Sequence, residues 1–562
     1  MTRNTVCVLT LLLASCASAP TREGAPQAYD LLITDGRIID GTGSPWYRGD
    51  VGINGDRIVA VGQLNGAQAR DTIDANGLIV SPGWIDMLGH SEYSLLTDGR
   101  ALSKITQGIT TEITGEVTSV VPVNERTLRE LGFTRNNRVD WTDLDGYFAR
   151  LERERPAINL ATFVTVGSVR RYVMGDANRA ATTDELAQMR ALVANAMQQG
   201  AVGLSTGMIY APATYASTDE IAELAKVAAQ YGGGYASHIR SEGARLIEAI
   251  NEAVAIGERA GTWVQIHHLK ASGKANWGKM PAAIAAIEAA RSRGVDVSAD
   301  QYPYRASSTG LDAIIPSWAH AGGTDSLVAR LQNPETRKQL ASEIMGPDQR
   351  DELIGESSGG PTGVMLAGFR TDSLRKYNGM LLSDVATQRN QSAIDAVFDL
   401  LIADSASTQA IYFSMSEEDI EIAMRQPWVS VGIDAGARDT ILTSHPHPRA
   451  FGSFPRILCH YVRARNVITM PDAIRKFTAL PAARVGLADR GVLKAGMYAD
   501  ITIYDEATVC DRATFEKPVQ TSAGIRHVLV NGVPVVRNGA VTGARPGRGI
   551  RRSGARRSPA NR

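Results

Sequence analysis

Two runs of β-favouring residues in this chain stop on histidine. Residues 263–273, WVQIHHLKASG, close on His267, His268 and Lys270. About thirty residues earlier, residues 235–243, YASHIRSEG, close on His238. Each run follows a turn-rich or glycine-rich connection and precedes a helical pattern, which puts each histidine at the C-terminal end of a strand in a repeating βα array. Barrels built from such arrays keep their chemistry at that face, and a neutral imidazole there is a ready ligand for a divalent metal. A single histidine in this position can equally be a satisfied polar residue, so the argument needs the rest of the pattern.

Strand–helix alternation fills the middle of the chain. Candidate strands end near Leu88, Glu116, Gly167, Thr206, His238, His268, Asp300 and Asp434, with amphipathic stretches at 184–199, 219–230 and 282–293 between several of them. Eight strands with helical crossovers predict an α/β fold, a TIM-like (β/α)8 barrel over residues 80–485. The gap between strands seven and eight is about 130 residues, far more than a crossover needs, so 307–426 should hold an inserted, partly helical subdomain. Short alternating strands with Gly and Asp turns occupy 29–79 and return over 486–544. Isolated hairpins are not stable alone, so the two sets should form one small β-sandwich domain from both termini. The Arg-, Gly- and Ser-rich residues 545–562 read as a basic, flexible tail.

Residues 1–19 read as an export signal: Arg3, an apolar run from Val6 to Leu13, then small residues, too short to span a bilayer as a helix. Leu13-Ala14-Ser15-Cys16 resembles a lipobox with Cys16 as the lipidated residue, and Ala17-Ser18-Ala19 would serve an ordinary signal peptidase. The expectation is a bacterial periplasmic protein or an outer-membrane-anchored lipoprotein, meeting the membrane only through that anchor. Beyond the leader only Cys459 and Cys510 remain, too few for a disulfide scaffold. With 59 basic and 59 acidic residues the formal net charge is zero, and nothing in the balance suggests a nucleic-acid partner.

The strand ends carry the chemical inventory. The first offers Asp86, His90 and Glu92, the second Glu112 and Glu116, the fifth His238, the sixth His267 and His268, and the eighth Asp434. Carboxylates and imidazoles converging from different strands suit a zinc-type shell with an open position for water. The metal would lower the pKa of that water and a neighbouring carboxylate would take its proton, with Asp434 as the candidate base. His267 should face away from His268, because neighbours on a strand alternate sides.

The blocks SPGWID, SKITQGITT, GLSTGMIY, SHIRSEG, HHLKASG with NWG, DQYPY, HPHPRAFGSFPR and RGVLKAGMYADITIYD occur in an order that resembles the amidohydrolase superfamily, and within it the N-acyl-D-amino-acid deacylases, or D-aminoacylases. The resemblance runs over nearly the whole mature chain. It implies one tightly bound zinc, water attack on an amide carbonyl, and a strand-eight aspartate as base. His238 and His268 match the histidine ligands, and Asp434 matches the catalytic aspartate. Tyr210, Lys270, Tyr302 and Arg449 match substrate-binding positions. Lys270 and Arg449 make physical sense as partners of a substrate carboxylate, arginine through two parallel hydrogen bonds.

Two departures matter. The superfamily's His-x-His is Leu88-Gly89-His90 here, and the deacylases' zinc-binding cysteine falls at Val117, beside Glu116. The expected metal set is therefore Glu116, His238 and His268, with His90 and Asp434 as secondary ligands of a weakly held second ion. An oxygen-containing shell of this kind would accept Mn2+ or Fe2+ as well as Zn2+. The reaction expected is hydrolysis of the amide of small N-acyl-(D-)amino acids. A dipeptidase or other carboxyamide hydrolase is the alternative, and a degraded barrel that only binds is a third reading, against which Asp434 argues.

Overall fold

The computed structural model describes residues 28–130, 139–344, 360–441 and 444–553 together with Met1, so the expected leader with Cys16 lies outside the described residues. Both ends of the chain build one nine-stranded sheet. From the N-terminal side come β1 (Ala28–Ile38), β2 (Tyr47–Asn54), β3 (Arg57–Gly62), β4 (Gln68–Asp74) and β5 (Ile79–Pro82). From the C-terminal side come four strands, at Ile501–Tyr504, Ile525–Val530, Val533–Arg537 and Ala540–Val541. The seam is the antiparallel pairing of β5 with Ile501–Tyr504, Val80 opposite Ile503. Ile33, Val51, Ile73, Ile501, Ile503 and Leu529 share one buried cluster there, so neither terminal segment has a complete core without the other.

Only Gly83 separates β5 from β6 (Trp84–Asp86), the first barrel strand. A Cβ at Gly83 would lie 2.2 Å from Thr110 Oγ1, so the chain passes from sandwich to barrel at a point where only glycine fits. The barrel continues through β7 (Ile109–Thr114), a third strand broken into β8 (Asn159–Thr162) and β9 (Val164–Thr165), β10 (Gly203–Gly207), β11 (Gly234–His238), β12 (Val264–Ile266) and β13 (Val297–Gln301). The eighth strand is Val429–Val431, paired with β13. The Gly89–Ala435 bridge and the Met87 N–H donated to Val431 O bring the first and eighth strands together.

The outer helices start where their sequence says they should. Thr183–Gln198 begins with a reciprocal capping box between Thr182 and Glu185, and Thr218–Gln230 is capped by Ser217. The third expected amphipathic stretch is Met280–Ser292.

After β13 the chain enters a subdomain around a small antiparallel sheet of β14 (Ser307–Gly310), β15 (Val364–Gly368) and β16 (Gln409–Tyr412). It has its own core, with Leu311, Leu327, Leu340, Leu366, Phe398 and Tyr412 buried together. The expected boundary near residue 426 is too late. Helix Glu417–Met424 buries Ile420, Ala423 and Met424 in the barrel's main core, and so serves as the barrel crossover into the eighth strand, which we number β17 in chain order.

The tail also differs from expectation. Residues 545–553 are docked under the barrel: Ile550 is buried beside Ile85, Ile113 and Ala161, and Leu160 N–H donates to Arg548 O while Ile550 N–H donates to Leu160 O. Two of the arginines that suggested a solvated end instead meet acids, Arg548 pairing with Asp56 at 3.0 Å and Arg551 with Asp145. Cys459 and Cys510 form a disulfide.

Candidate metal centre

A cavity of about 580 Å³ opens over the C-terminal ends of the barrel strands, with His90, Glu116, His238, His268, Asp434 and Arg449 in its wall. The edge of the subdomain, Ser307 to Gly310 with Gly368 and Gln409, forms the opposite wall. All nine site residues singled out in the sequence line this one cavity.

At its floor, Glu116 Oε1 lies 2.9 Å from His238 Nδ1 and 2.8 Å from His268 Nε2, and all three residues are buried. Two ring nitrogens and a carboxylate oxygen converging on one point are the donor set for a divalent ion. Glu116 also reaches His90, whose Nε2 is 3.2 Å from Oε2 and 3.0 Å from Asp434 Oδ1, so Glu116 belongs to two donor groups at once. Val117 lines the cavity with no donor to offer. Burial pushes the Glu116 carboxyl up, but the His268 charge and hydrogen bonds from His238, His268 and His90 outweigh it and hold the group well below its ordinary value.

The ligand geometry is set from behind. His268 sits past the end of β12 with φ +36°, and Asp300 on β13 holds it there: Asp300 Oδ1 accepts the His268 N–H at 2.8 Å while Oδ2 meets His267 Nδ1 at 2.9 Å. His267 accordingly turns away from the cavity and packs against Phe163. On the other side of the His268 ring, Nδ1 faces Glu242 Oε1 at 2.9 Å and Lys270 Nζ at 2.7 Å. A carboxylate behind a ligating imidazole fixes ring orientation and tautomer. Burial and the Lys270 ammonium pull the His268 pKa down, yet Glu242 and Glu116 prevail and raise it to about 10. A divalent cation bound here would have to displace such a proton from the imidazole.

Asp434 faces the floor from the turn after β17. Its Oδ2 is 2.8 Å from Arg449 Nη1, and the Arg449 guanidinium lies over the Tyr302 ring at 4.7 Å. Burial raises the Asp434 carboxyl, but Arg449, followed by the His90 hydrogen bond, brings it down to about 2. Arg449 Nε and the buried Tyr302 hydroxyl have no hydrogen-bond partner among the described residues. Tyr210 closes the wall, its hydroxyl 2.7 Å from Thr309 Oγ1 and its ring edge-on to His238.

Sequence reasoning passed over Glu242, Asp300 and His447. All three lie inside quoted motifs, SHIRSEG, DQYPY and HPHPR, but much of their work depends on partners outside those motifs. His447 accepts the Arg449 N–H on Nδ1 and meets Ala306 O with Nε2, which fixes the start of the arginine's helix. The remaining inventory lies deeper: Asp86 and Glu112 are fully buried around Lys104, and Glu92 is buried with its carboxyl pushed up to about 7 by burial.

Against known proteins, the amidohydrolase family pattern matches residues 71–316 and 381–536. The D-aminoacylase of Alcaligenes xylosoxydans xylosoxydans is 37% identical over 542 residues, covering 94% of this chain and 99% of that one. A crystal structure of a D-aminoacylase superposes with a TM-score of 0.79 at 35% identity, covering 93% of this chain and 100% of that one. The N-acyl-D-glutamate deacylase of Bordetella bronchiseptica, solved with zinc and a phosphonate mimic of the tetrahedral intermediate, gives a TM-score of 0.79 at 34% identity, covering 93% and 100%. With its barrel, its sandwich and its donor set, this chain belongs to the amidohydrolase family.

Proposed function

We propose that this protein is a metal-dependent deacylase that hydrolyses the amide bond of N-acyl-D-amino acids to a carboxylate and a free amino acid. The observation that carries the reading is the opposition, in one cavity, of the Glu116, His238 and His268 donors to the Asp434 carboxylate, with Arg449 alongside. Relatives that deacylate D-amino acids over nearly the full chain supply the substrate class and its handedness.

Glu116, His238 and His268 would hold the tight ion, for which zinc fits the two nitrogens and one oxygen, with Mn2+ or Fe2+ as competitors. When bound, such an ion supplies Lewis acidity towards an acyl carbonyl and a water. His90 and Asp434, sharing Glu116, would hold a second ion weakly. The chain's own residues do the rest. As water adds to the acyl carbon, Asp434 accepts its proton, then returns a proton to the amide nitrogen so that the C–N bond breaks with a neutral amine leaving. Arg449, whose Nε has no partner among the described residues and which has the Tyr302 ring beneath it, binds the substrate carboxylate. Tyr210 and Lys270 border the same space, Lys270 through its pairing with Glu242. A substrate carboxylate on Arg449 also offsets the charge that depresses Asp434, so docking makes the base stronger.

The substrate is a small molecule, and the reaction belongs outside the cytoplasm. Support for that location comes from the leader over 1–19 and from the Cys459–Cys510 disulfide, a bond that persists in oxidising compartments. No helix among the described residues is long and apolar enough to cross a membrane; the lipobox-like Leu13-Ala14-Ser15-Cys16 would supply a lipid anchor.

The test is hydrolysis of a panel of N-acetyl-D- and N-acetyl-L-amino acids and of dipeptides, with metal content measured on the same preparation. Turnover confined to the D-series, with about one ion held per chain, is expected. Preferential cleavage of dipeptides would move the reading to a dipeptidase, and a metal-free protein inert on the whole panel would leave a binding role.

A further inference from the structure

Asp434 stands on a turn outside the regular strand. Regular pairing of β17 with β13 ends at Val431, and three residues later Asp434 adopts φ +51°, a left-handed conformation that is uncommon for non-glycine residues though aspartate tolerates it better than most. The contacts that hold this turn come largely from the first strand and the short helix after it. Asp434 N–H donates to Leu88 O at 2.7 Å, Ile433 N–H to Asp86 Oδ1 at 2.9 Å, and Ala437 N–H to Ser91 Oγ at 2.7 Å. Helix Leu102–Ile105 provides the rest. Ser103 Oγ accepts the Arg438 N–H at 2.9 Å, Ser103 N–H donates to Arg438 O at 3.0 Å, and Lys104 Nζ donates to Ala435 O at 2.7 Å.

Lys104 is the unusual member of this set. It is 0% exposed, in contact with two carboxylates that are themselves 0% exposed, Asp86 at 2.7 Å and Glu112 at 3.4 Å. A buried ammonium is costly unless all three of its donors are used, and here Asp86, Glu112 and Ala435 O account for them. The two carboxylates are themselves tied into the turn. Asp86 Oδ1 reaches Ile433 and Leu88, and Glu112 Oε1 accepts the N–H of Ser91, whose hydroxyl holds Ala437. Without the ammonium, two anions would face each other under the base, and the carbonyl next to Asp434 would lose its donor.

We infer that Lys104, with Ser103 on the same helix, is a positioning residue that fixes the Asp434 turn against the first strand and so sets the aim of the general base. This rests on the deacylase reading for its kinetic consequence but not for its geometry. Lys104 touches neither the donor groups nor the cavity, and its action on the reaction would pass through Asp434.

The experiment compares Lys104→Met, which keeps length and removes charge and donors, with Ser103→Ala and Asp434→Asn, singly and in pairs, on N-acetyl-D-amino acid hydrolysis. A misplacement of about 1 Å in a reacting group costs on the order of a hundredfold in rate, so Lys104→Met should lower kcat roughly ten- to a hundredfold. KM and content of the tightly held metal should stay within about twofold. Added to Asp434→Asn it should cost almost nothing more, because both changes remove the same contribution. A wild-type kcat, a loss that tracks metal content, or a loss that multiplies in full with Asp434→Asn would each overturn the inference. Should Lys104→Met not fold, Ser103→Ala decides, with a severalfold kcat loss at constant KM, absorbed by Asp434→Asn, expected, and a wild-type or fully multiplicative result overturning it. If the wild-type protein hydrolyses no N-acyl-D-amino acid, the deacylase reading falls by itself. Crystal structures of Lys104→Met, or of Ser103→Ala in its place, then test the inference directly, a displaced 433–438 turn supporting it and an unmoved one refuting it.

Discussion

Two donor groups share Glu116, and they are built differently. Glu116, His238 and His268 are all buried, with Asp300 and Glu242 holding His268 from behind. His90, Glu116 and Asp434 form the other group, where the His90 side chain is 31% exposed and Asp434 is engaged by Arg449. In the first group the three donors meet one another directly, whereas in the second Asp434 is committed to a cation, and Leu88, where a further histidine was expected, offers no donor. The contrast suggests a division of labour between a group that binds an ion tightly and a group that moves protons beside it.

Removing the shared residue should have the largest effect. Glu116→Ala takes an oxygen from both groups and leaves His238 and His268 without their common partner. Lewis-acid catalysis contributes several kcal/mol, and each 1.36 kcal/mol is tenfold in rate, so kcat/KM should fall by at least about ten-thousandfold. Metal analysis should find the tight ion gone. Retention of that ion would mean the two histidines bind it with some other ligand, and the division would collapse.

Asp434→Asn should separate the two groups. Loss of a general acid–base group costs about a hundredfold to ten-thousandfold, and the tight ion should remain because neither histidine nor Glu116 is changed. Turnover and metal content measured side by side check this, and loss of both together would place Asp434 in the binding group.

How much of this was legible in the sequence depended on the distance over which each feature is encoded. Strand-end histidines announce themselves locally, because a β-favouring run that stops on His238 or His268 fixes the residue's place in the barrel. The helices at Thr183–Gln198 and Thr218–Gln230 were equally readable, since cap and apolar period lie within one window. Glu116 could be reached only because Val117, beside it, has no donor. The supports were not legible. Lys104 meets Ala435 and Arg548 meets Asp56 across more than half the chain, and a charged residue waiting for such a partner looks like any solvated one. The 545–553 segment was misjudged for that reason. The subdomain's end was misplaced because helix Glu417–Met424 has the same amphipathic texture whether it packs on the insertion or on the barrel.

Acid sharpens the comparison further. In the metal-free protein His268 is held at about 10 and His90 well above its ordinary value, so at neutral pH an entering ion must displace protons. Apparent metal affinity should therefore rise with pH, about tenfold per unit for each proton released. Stability of the metal-free protein should move the other way. A raised folded-state pKa stabilises fully below the unfolded value near 6.5, and that contribution is lost as pH climbs towards 10. Metal titrations and melting curves at pH 6.5, 7.5 and 8.5 test both signs, and a flat affinity profile would remove these histidines from the ligand set.

His90→Ala should have the smallest effect, and it probes the comparison most closely. His90 contacts Glu116 Oε2, while the two buried histidines meet Oε1, so its removal leaves the tight group's own contacts intact. The tight ion should stay at wild-type stoichiometry. What is lost is the hydrogen bond to Asp434, which helps keep that carboxylate ionised and aimed, and a bond to a charged group contributes about 1.5–3 kcal/mol when fully formed. At a partly exposed residue with Arg449 still pairing the other oxygen, only a fraction of that should appear, so kcat should fall by about tenfold or less. Any response of activity to excess metal should vanish with it, because the second group then has one imidazole fewer. An assay across a metal titration, with and without His90, makes the distinction: loss of the tight ion would show that the buried group was never complete without His90, and that the two groups are one.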